Sequence, residues 1–167
     1  GRKPDEKSLE SETIKFLEKQ AYDSEILVVC DGCSDRTAEK ALSYQSNYHN
    51  LKVIEYSPNR GKGYAVTKGM LESKGDIRMF MDADLAVPVE TVNVFIKQIS
   101  EGYEVVIGAR GLTETIILEH QNFFRESAGK LFGRIQKLIL NIPFFDTQCG
   151  FKIFSKNAVE YLFPKVK

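Results

Sequence analysis

Blocks of apolar and polar residues follow one another along the chain and predict alternating strands and helices. Short apolar runs rich in β-branched residues predict buried strands at 25–30, 51–56, 77–81 and 104–107. Apolar residues at helical spacing predict helices at 8–20, from Ser34 or Asp35 to about Tyr48, at 61–73 and at 88–100. This repeated strand–helix order predicts an α/β fold, with a mainly parallel sheet and helices on both faces.

The second half of the chain follows a different pattern. Residues 123–142 have apolar positions at helical spacing, with basic side chains between them at Arg125, Lys130, Arg134 and Lys137. The pattern is typical of a core-facing helix with a solvated polar face, and also of a basic amphipathic helix on a membrane surface. A polar turn at 146–150 then precedes a predicted strand at 151–154 and a helix at 155–163.

Composition narrows the class of protein. The chain has 167 residues, of which 43% are apolar, and its 23 Lys and Arg balance its 23 Asp and Glu. These values exclude a disordered or collagen-like chain, and no overall basic charge points to nucleic acid. The length predicts a single domain over residues 1–167. Cys30, Cys33 and Cys149 are too few for a disulfide framework, which favours a reducing compartment and a cytoplasmic location.

The clearest chemical signal is a pair of aspartates directly after the strand at 77–81. Asp82 and Asp84 are two residues apart, so their carboxylates can face the same way at a strand end. Mg²⁺ or Mn²⁺ would relieve their repulsion and would complete its shell with water and phosphate oxygens. The alternative is a plain acidic turn, because aspartate is common in turns.

Two further segments at strand ends suit a nucleotide, since ligands of α/β proteins bind at the carboxyl ends of the strands. Asp31 follows the strand at 25–30 and can accept hydrogen bonds from a base or a ribose. The glycines of NRGKG (59–63) let backbone amides approach a phosphate at the start of a helix. This segment is neither a Walker loop nor a complete dinucleotide fingerprint, because Val66 stands where a third glycine would be.

Taken together and in this order, the segments resemble family 2 glycosyltransferases of the GT-A fold, and among these the dolichyl- and polyprenyl-phosphate sugar synthases. The resemblance covers about residues 25–160 and rests on VVCDGCSDRT (28–37), NRGKGYAVTKGM (59–70), MDADLAVP (81–88), VIGAR (106–110), the helix headed by Arg125, and DTQCGFKIF (146–154). It implies a Rossmann-like three-layer α/β/α domain. It also implies an inverting transfer of a hexose from UDP-glucose or GDP-mannose to a polyprenyl or dolichyl phosphate. Two residues after Asp84, this chain has Ala86 and not the Gln of mannose-transferring members. In this respect it resembles the glucose-transferring members more.

The resemblance implies roles for individual residues. Asp82 and Asp84 would bind the metal ion, Mg²⁺ or Mn²⁺. Donor binding falls to Asp31, Arg60, Gly61, Lys62, Asp82 and Gln148. The catalytic residues are Asp84, Arg110, Arg125 and Asp146, of which the two arginines would hold the acceptor phosphate. A lipid acceptor implies that the protein works at the cytosolic face of a membrane, with the basic helix at 123–142 on its surface.

Departures from the family pattern leave other functions open. The family usually begins with a strand ending in a P-x-Y-N-E-like motif, where this chain has GRKPDEKSLESETIKFL, so we expect the first strand to be absent. Because the sequence stops at Lys167, we also expect the C-terminal extension to be absent. Cys30-Asp31 replaces the usual pair of aspartates. One alternative is a degenerate binding or regulatory domain. A second is a D-x-D phosphotransferase, although Ala86 occupies the position where that motif has Thr or Val. A third is a redox pair or zinc site at Cys30 and Cys33.

Overall fold

Strands and helices alternate as the hydrophobic pattern predicts. The structure is a computed structural model that describes residues 9–46, 48–82, 88–108 and 149–166. Its elements are α1 (Leu9–Leu17), β1 (Ile26–Asp31), α2 (Thr37–Ser43), β2 (Leu51–Tyr56), α3 (Lys62–Glu72), β3 (Ile77–Met81), α4 (Thr91–Ser100), β4 (Val105–Ile107), β5 (Phe151–Ser155) and α5 (Lys156–Leu162), with 3₁₀ turns at Tyr44–Ser46 and Phe163–Lys165. No helix within these ranges has the length and apolar character needed to cross a membrane.

The strands pair in two groups. β1 and β2 are parallel, with Ile26 opposite Leu51 and Asp31 opposite Tyr56. β5 lies between β3 and β4 and is antiparallel to both, so β3 and β4 run in the same direction. The predicted α/β class is confirmed. The antiparallel direction of β5 is an addition, because a short apolar run does not encode the direction of a strand.

Apolar side chains cover both faces of the sheet formed by β3, β5 and β4. On one face, Met70 of α3 and Phe163 beyond α5 pack with Phe154 of β5. On the other face, Val92 of α4 packs with Phe151 of β5. Phe151 and Phe154 can serve opposite layers because successive side chains of a strand point to opposite faces. Helices on both sides of one sheet form the three-layer arrangement that the family resemblance implies.

Several helix ends differ from the prediction, among them the end of α1 at Leu17 and the start of α2 at Thr37, and two further ends have a visible cause in local hydrogen bonds. The hydrophobic pattern predicts a helix from residue 88, but α4 begins at Thr91, because the Thr91 amide donates to the Pro88 carbonyl (3.1 Å) in a tight turn of the i→i+3 type. α2 ends at Ser43, earlier than the predicted 48. There the Gln45 side-chain amide donates to the Leu51 carbonyl (2.9 Å) and turns the chain toward β2.

A buried arginine anchors the amino-terminal half of β3. Arg78 is only 8% exposed. Its guanidinium donates to the carbonyls of Gly75 (2.8 Å) and Met70 (3.1 Å) and lies 3.9 Å from the Glu160 carboxylate of α5. Nearby, the Glu25 carboxylate accepts hydrogen bonds from the amides of Lys74 and Gly75. These contacts fix the start of β3, and with it the position of the residues at the other end.

Candidate functional site

The end of β1 is tied to the loop before α3 by one carboxylate. Asp31 Oδ1 accepts the Arg60 amide (2.7 Å) and Asp31 Oδ2 accepts the Gly61 amide (2.8 Å). The Asn59 side chain also donates to the Asp31 carbonyl (2.8 Å). The hydrogen bond donated by the Arg60 backbone amide, together with that from the Gly61 amide, lowers the pKa of Asp31. Two predicted donor-binding segments are thus brought together, with Asp31 ionised at neutral pH.

Gly32 allows this close approach. Its φ of +64° lies in the left-handed region, which favours glycine. A Cβ at this position would lie 2.5 Å from the Asn59 amide nitrogen. Any other residue at position 32 would therefore push the 59–61 loop away from Asp31.

Two tyrosines that sequence reasoning missed flank the same loop. The rings of Tyr56 and Tyr64 meet edge to face, with centroids 5.1 Å apart. The Arg60 guanidinium carbon lies 3.7 Å from the centre of the Tyr64 ring, in a cation–π contact. The Tyr56 hydroxyl is buried without a hydrogen-bond partner among the described residues, and this burial, together with the neighbouring Asp31 carboxylate, raises the pKa of Tyr56 to about 12. The signal available in the sequence was their position on either side of NRGKG.

An ion pair joins the start of α3 to the end of β3. The Lys62 ammonium lies 2.7 Å from Asp82 Oδ1, and the two side chains are 62% and 38% exposed. Lys62 directly follows the loop that Asp31 holds, and Asp82 directly follows β3. The predicted residues Asp31, Arg60, Gly61, Lys62 and Asp82 therefore form one continuous set of contacts.

Gly150 places the Asp82 carboxylate, a role that sequence reasoning also missed. The Asp82 amide donates to the Gly150 carbonyl (3.0 Å), next to the last β3–β5 pair of Met81 and Phe151. A Cβ on Gly150 would overlap the Asp82 carboxylate. The carboxylate thus rests against bare backbone, and it already holds a cation, the Lys62 ammonium. An oxygen donor in this setting fits a divalent cation.

The other predicted site residues lie outside the described residues; they are Asp84, Arg110, Arg125, Asp146 and Gln148. Within the described ranges, no three or more His, Cys, Asp or Glu side chains are grouped to hold a metal ion. Asp82 is therefore the part of the predicted metal pair that the structure places.

The environment of Cys30 favours its protonated thiol. All three cysteines are free thiols, and Cys30 is buried. Burial, the hydrogen bond with Cys33 and the nearby acidic side chains raise the pKa of Cys30 to about 12. Because the thiolate is the reactive form, a thiol held protonated is a poor redox partner.

Sequence comparison identifies the family. Residues 6–163 match the family model described as "Glycosyl transferase family 2". The chain belongs to glycosyl transferase family 2. Within this family, it is 34% identical to a dolichyl-phosphate beta-glucosyltransferase of Trichomonas vaginalis, over 91% of this chain and 50% of the relative. It is also 32% identical to the dolichyl-phosphate beta-glucosyltransferase of Drosophila melanogaster, over 95% of this chain and 53% of the relative. The chain spans about half the length of these curated relatives.

Solved structures confirm the fold of this family 2 chain. A mycobacterial protein superposes with a TM-score of 0.61 at 19% identity, over 87% of this chain and 47% of that one. A mannosyltransferase from Pyrobaculum calidifontis, solved with GDP-Man and Mn²⁺, gives a TM-score of 0.59 at 18% identity, over 95% of this chain and 44% of that one. At this level of identity, the likeness concerns the fold alone.

Proposed function

We propose that this chain is the catalytic domain of a glucosyltransferase that transfers glucose from UDP-glucose to dolichyl or another polyprenyl phosphate. The observation that carries the proposal is the Lys62–Asp82 ion pair, which joins the loop bound by Asp31 to the end of β3 at one edge of the fold. The choice of glucose and of a dolichyl phosphate is supported by the names of relatives at 32–34% identity. GDP-mannose is the competing donor.

The donor end of the site is built from α3 and the loop before it. Lys62 and Arg60 supply two positive charges where α3 begins, and the positive end of the helix dipole adds to them. A diphosphate is the anionic group of a nucleotide sugar that suits this position. The rings of Tyr56 and Tyr64, with the Asp31 carboxylate, offer flat apolar surface and a hydrogen-bond acceptor for the nucleoside.

The transfer itself is a single displacement at the anomeric carbon. The bond from this carbon to the diphosphate breaks, and a bond to the acceptor phosphate oxygen forms on the opposite face, which inverts the configuration. Asp82 and Asp84 would hold Mg²⁺ or Mn²⁺, which when bound neutralises charge on the diphosphate. Since the acceptor phosphate is already anionic at neutral pH, positioning and charge neutralisation replace a strong base.

The acceptor end rests on residues known from the sequence alone. Arg110 and Arg125 would bind the lipid phosphate, and Asp146 and Gln148 would line the sugar or the acceptor side of the site. The proposed place of action is the cytosolic face of a membrane, with the basic stretch at 123–142 against the lipid surface. Flotation of the chain with liposomes, with and without anionic lipid, tests that surface contact.

Product analysis tests the proposed reaction. The chain is incubated with a short polyprenyl phosphate, Mn²⁺ and either UDP-glucose or GDP-mannose, and the lipid products are identified by mass spectrometry. We expect a hexosyl-phosphate lipid from UDP-glucose, loss of this product in Asp82→Asn, and retention of it in the matched exposed variant Asp23→Asn. Absence of product from both donors, with UDP binding intact, would instead favour a binding domain.

The two arginines separate acceptor binding from donor binding. Arg110→Ala and Arg125→Ala should each raise the acceptor KM or lower kcat and leave UDP affinity unchanged. Arg→Lys should restore activity only in part, because an ammonium lacks the planar fork of the guanidinium. Loss of UDP binding in Arg125→Ala, with acceptor use intact, would contradict this assignment.

A further inference from the structure

Lys62 occupies the space that a cation bound to Asp82 would need. Its ammonium lies 2.7 Å from Asp82 Oδ1, and Gly150 backs the same carboxylate. A divalent cation that reaches this carboxylate meets the Lys62 ammonium, and two like charges at such short range repel each other. A cation at Asp82 Oδ1 would therefore compete with Lys62 for that oxygen.

The structure makes this displacement easy. Lys62 is 62% exposed, and because solvent screens an exposed ion pair, the pair holds its two side chains only weakly. The backbone before Lys62 is held by the hydrogen bonds from the Arg60 and Gly61 amides to Asp31. The flexible Lys62 side chain can thus change its rotamer while the backbone at the start of α3 stays in place.

We propose that Lys62 exchanges between two anionic partners, an inference that rests on the proposed function. Without a divalent cation it neutralises Asp82, and when a cation binds Asp82 it turns to the diphosphate of the donor. Cation and diphosphate then favour each other's binding. The cation releases Lys62 from Asp82, so that Lys62 is available to the diphosphate, and the diphosphate draws Lys62 away from the carboxylate that the cation needs. This coupling is reciprocal by thermodynamic linkage.

The test measures binding of Mn²⁺ alone, by electron paramagnetic resonance, and of UDP with and without Mn²⁺, by calorimetry. We expect Lys62→Met to bind Mn²⁺ alone about threefold more tightly, because the competing charge is gone. The same variant should bind UDP in the presence of Mn²⁺ about tenfold more weakly, because a charge-assisted contact is lost. Lys68→Met is the matched control, since Lys68 lies on the same helix but pairs with Glu72 (2.6 Å); its affinities should equal those of the wild type.

Two further variants keep the result interpretable. Lys62→Arg retains the positive charge and should keep a Mn²⁺ affinity close to that of the wild type, and this comparison can be made even if Lys62→Met does not fold. In the Asp82→Asn background, Lys62→Met should no longer tighten Mn²⁺ binding. Thermal unfolding followed by circular dichroism checks that each variant is folded.

The inference is overturned if Lys62→Met binds Mn²⁺ no more tightly than the wild type, or if its UDP affinity is unchanged. Its failure differs from failure of the proposed function. Glucosylated lipid from the wild type with unchanged affinities in Lys62→Met would reject the exchange alone. The expected affinity changes without any glucosylated lipid would reject the glucosyltransferase alone.

Discussion

The two ends of β3 carry opposite charges, and the molecule holds them in opposite ways. Arg78, near the start of the strand, is 8% exposed and is bonded to two backbone carbonyls, with Glu160 nearby. Asp82, just after the strand, is 38% exposed, and its ion-pair partner Lys62 is more exposed still. The first charge is held by rigid groups, and the second is held by a side chain that can leave.

This difference separates a structural charge from a charge available to ligands. A buried guanidinium must satisfy its hydrogen bonds inside the protein, because an unpaired buried charge costs several kcal/mol. A half-exposed carboxylate keeps much of its hydration and gains little from a surface partner. Arg78 should therefore govern folding stability, and Asp82 should govern binding.

The largest expected effect is on stability, at Arg78. Arg78→Met keeps most of the side-chain volume but leaves the carbonyls of Gly75 and Met70 without this donor. We expect the free energy of unfolding to fall by about 3 kcal/mol, measured by urea denaturation. Lys97→Met, which removes the exposed pair with Glu101, should cost less than about 0.5 kcal/mol. An equal effect of both variants would remove the distinction between the two kinds of charge.

A smaller effect is expected on cation binding, at Gly150. In Gly150→Ala the new Cβ collides with the Asp82 carboxylate, which must then leave its position. We expect Mn²⁺ affinity to fall about tenfold, as for a ligand moved out of its coordination geometry. Gly69→Ala is the control, because its Cβ would meet a methyl group of Val29 (3.1 Å) and not the Asp82 carboxylate, so Mn²⁺ affinity should stay unchanged. Unchanged affinity in Gly150→Ala would show that Asp82 does not need this backing.

The smallest effect concerns Asp31, which combines features of both ends: it is accessible, yet bonded to backbone amides. The pKa of Asp31 is lowered from 3.8, first by the hydrogen bond from the Arg60 amide. Its contribution to stability is therefore complete above about pH 4 and is lost as the pH falls through the lowered native pKa. Asp31→Asn should lose less stability than the wild type as the pH falls below about 4, measured by urea unfolding at several pH values. We call the hydrogen bonds from the Arg60 and Gly61 amides to the Asp31 carboxylate the Asp31 clamp. Identical pH dependence in the two proteins would show that this clamp does not stabilise the fold.

The order of the elements and the residues at the strand ends follow from the sequence alone. Each apolar run ends where a polar residue begins, so Asp31 could be placed at the end of β1, and Asp82 just after β3, without knowledge of their neighbours. The glycines and basic residues of NRGKG likewise marked the start of α3. These features are local, and local patterns of burial and turn formation suffice to produce them. Asp84, Arg110, Arg125, Asp146 and Gln148 remain predictions from the sequence.

Which of these residues come into contact depends on the fold as a whole. The Asp31 clamp joins residues about 30 positions apart, and Gly150 lies far along the chain from the Asp82 that it supports. In the sequence, Arg78 is only a polar interruption of an apolar strand, and its proximity to Glu160, far along the chain, depends on the fold. A hydrophobic pattern records how each segment divides between water and core. It carries no information on the partner that a polar group finds across the sheet, because that partner is set by strand order and register.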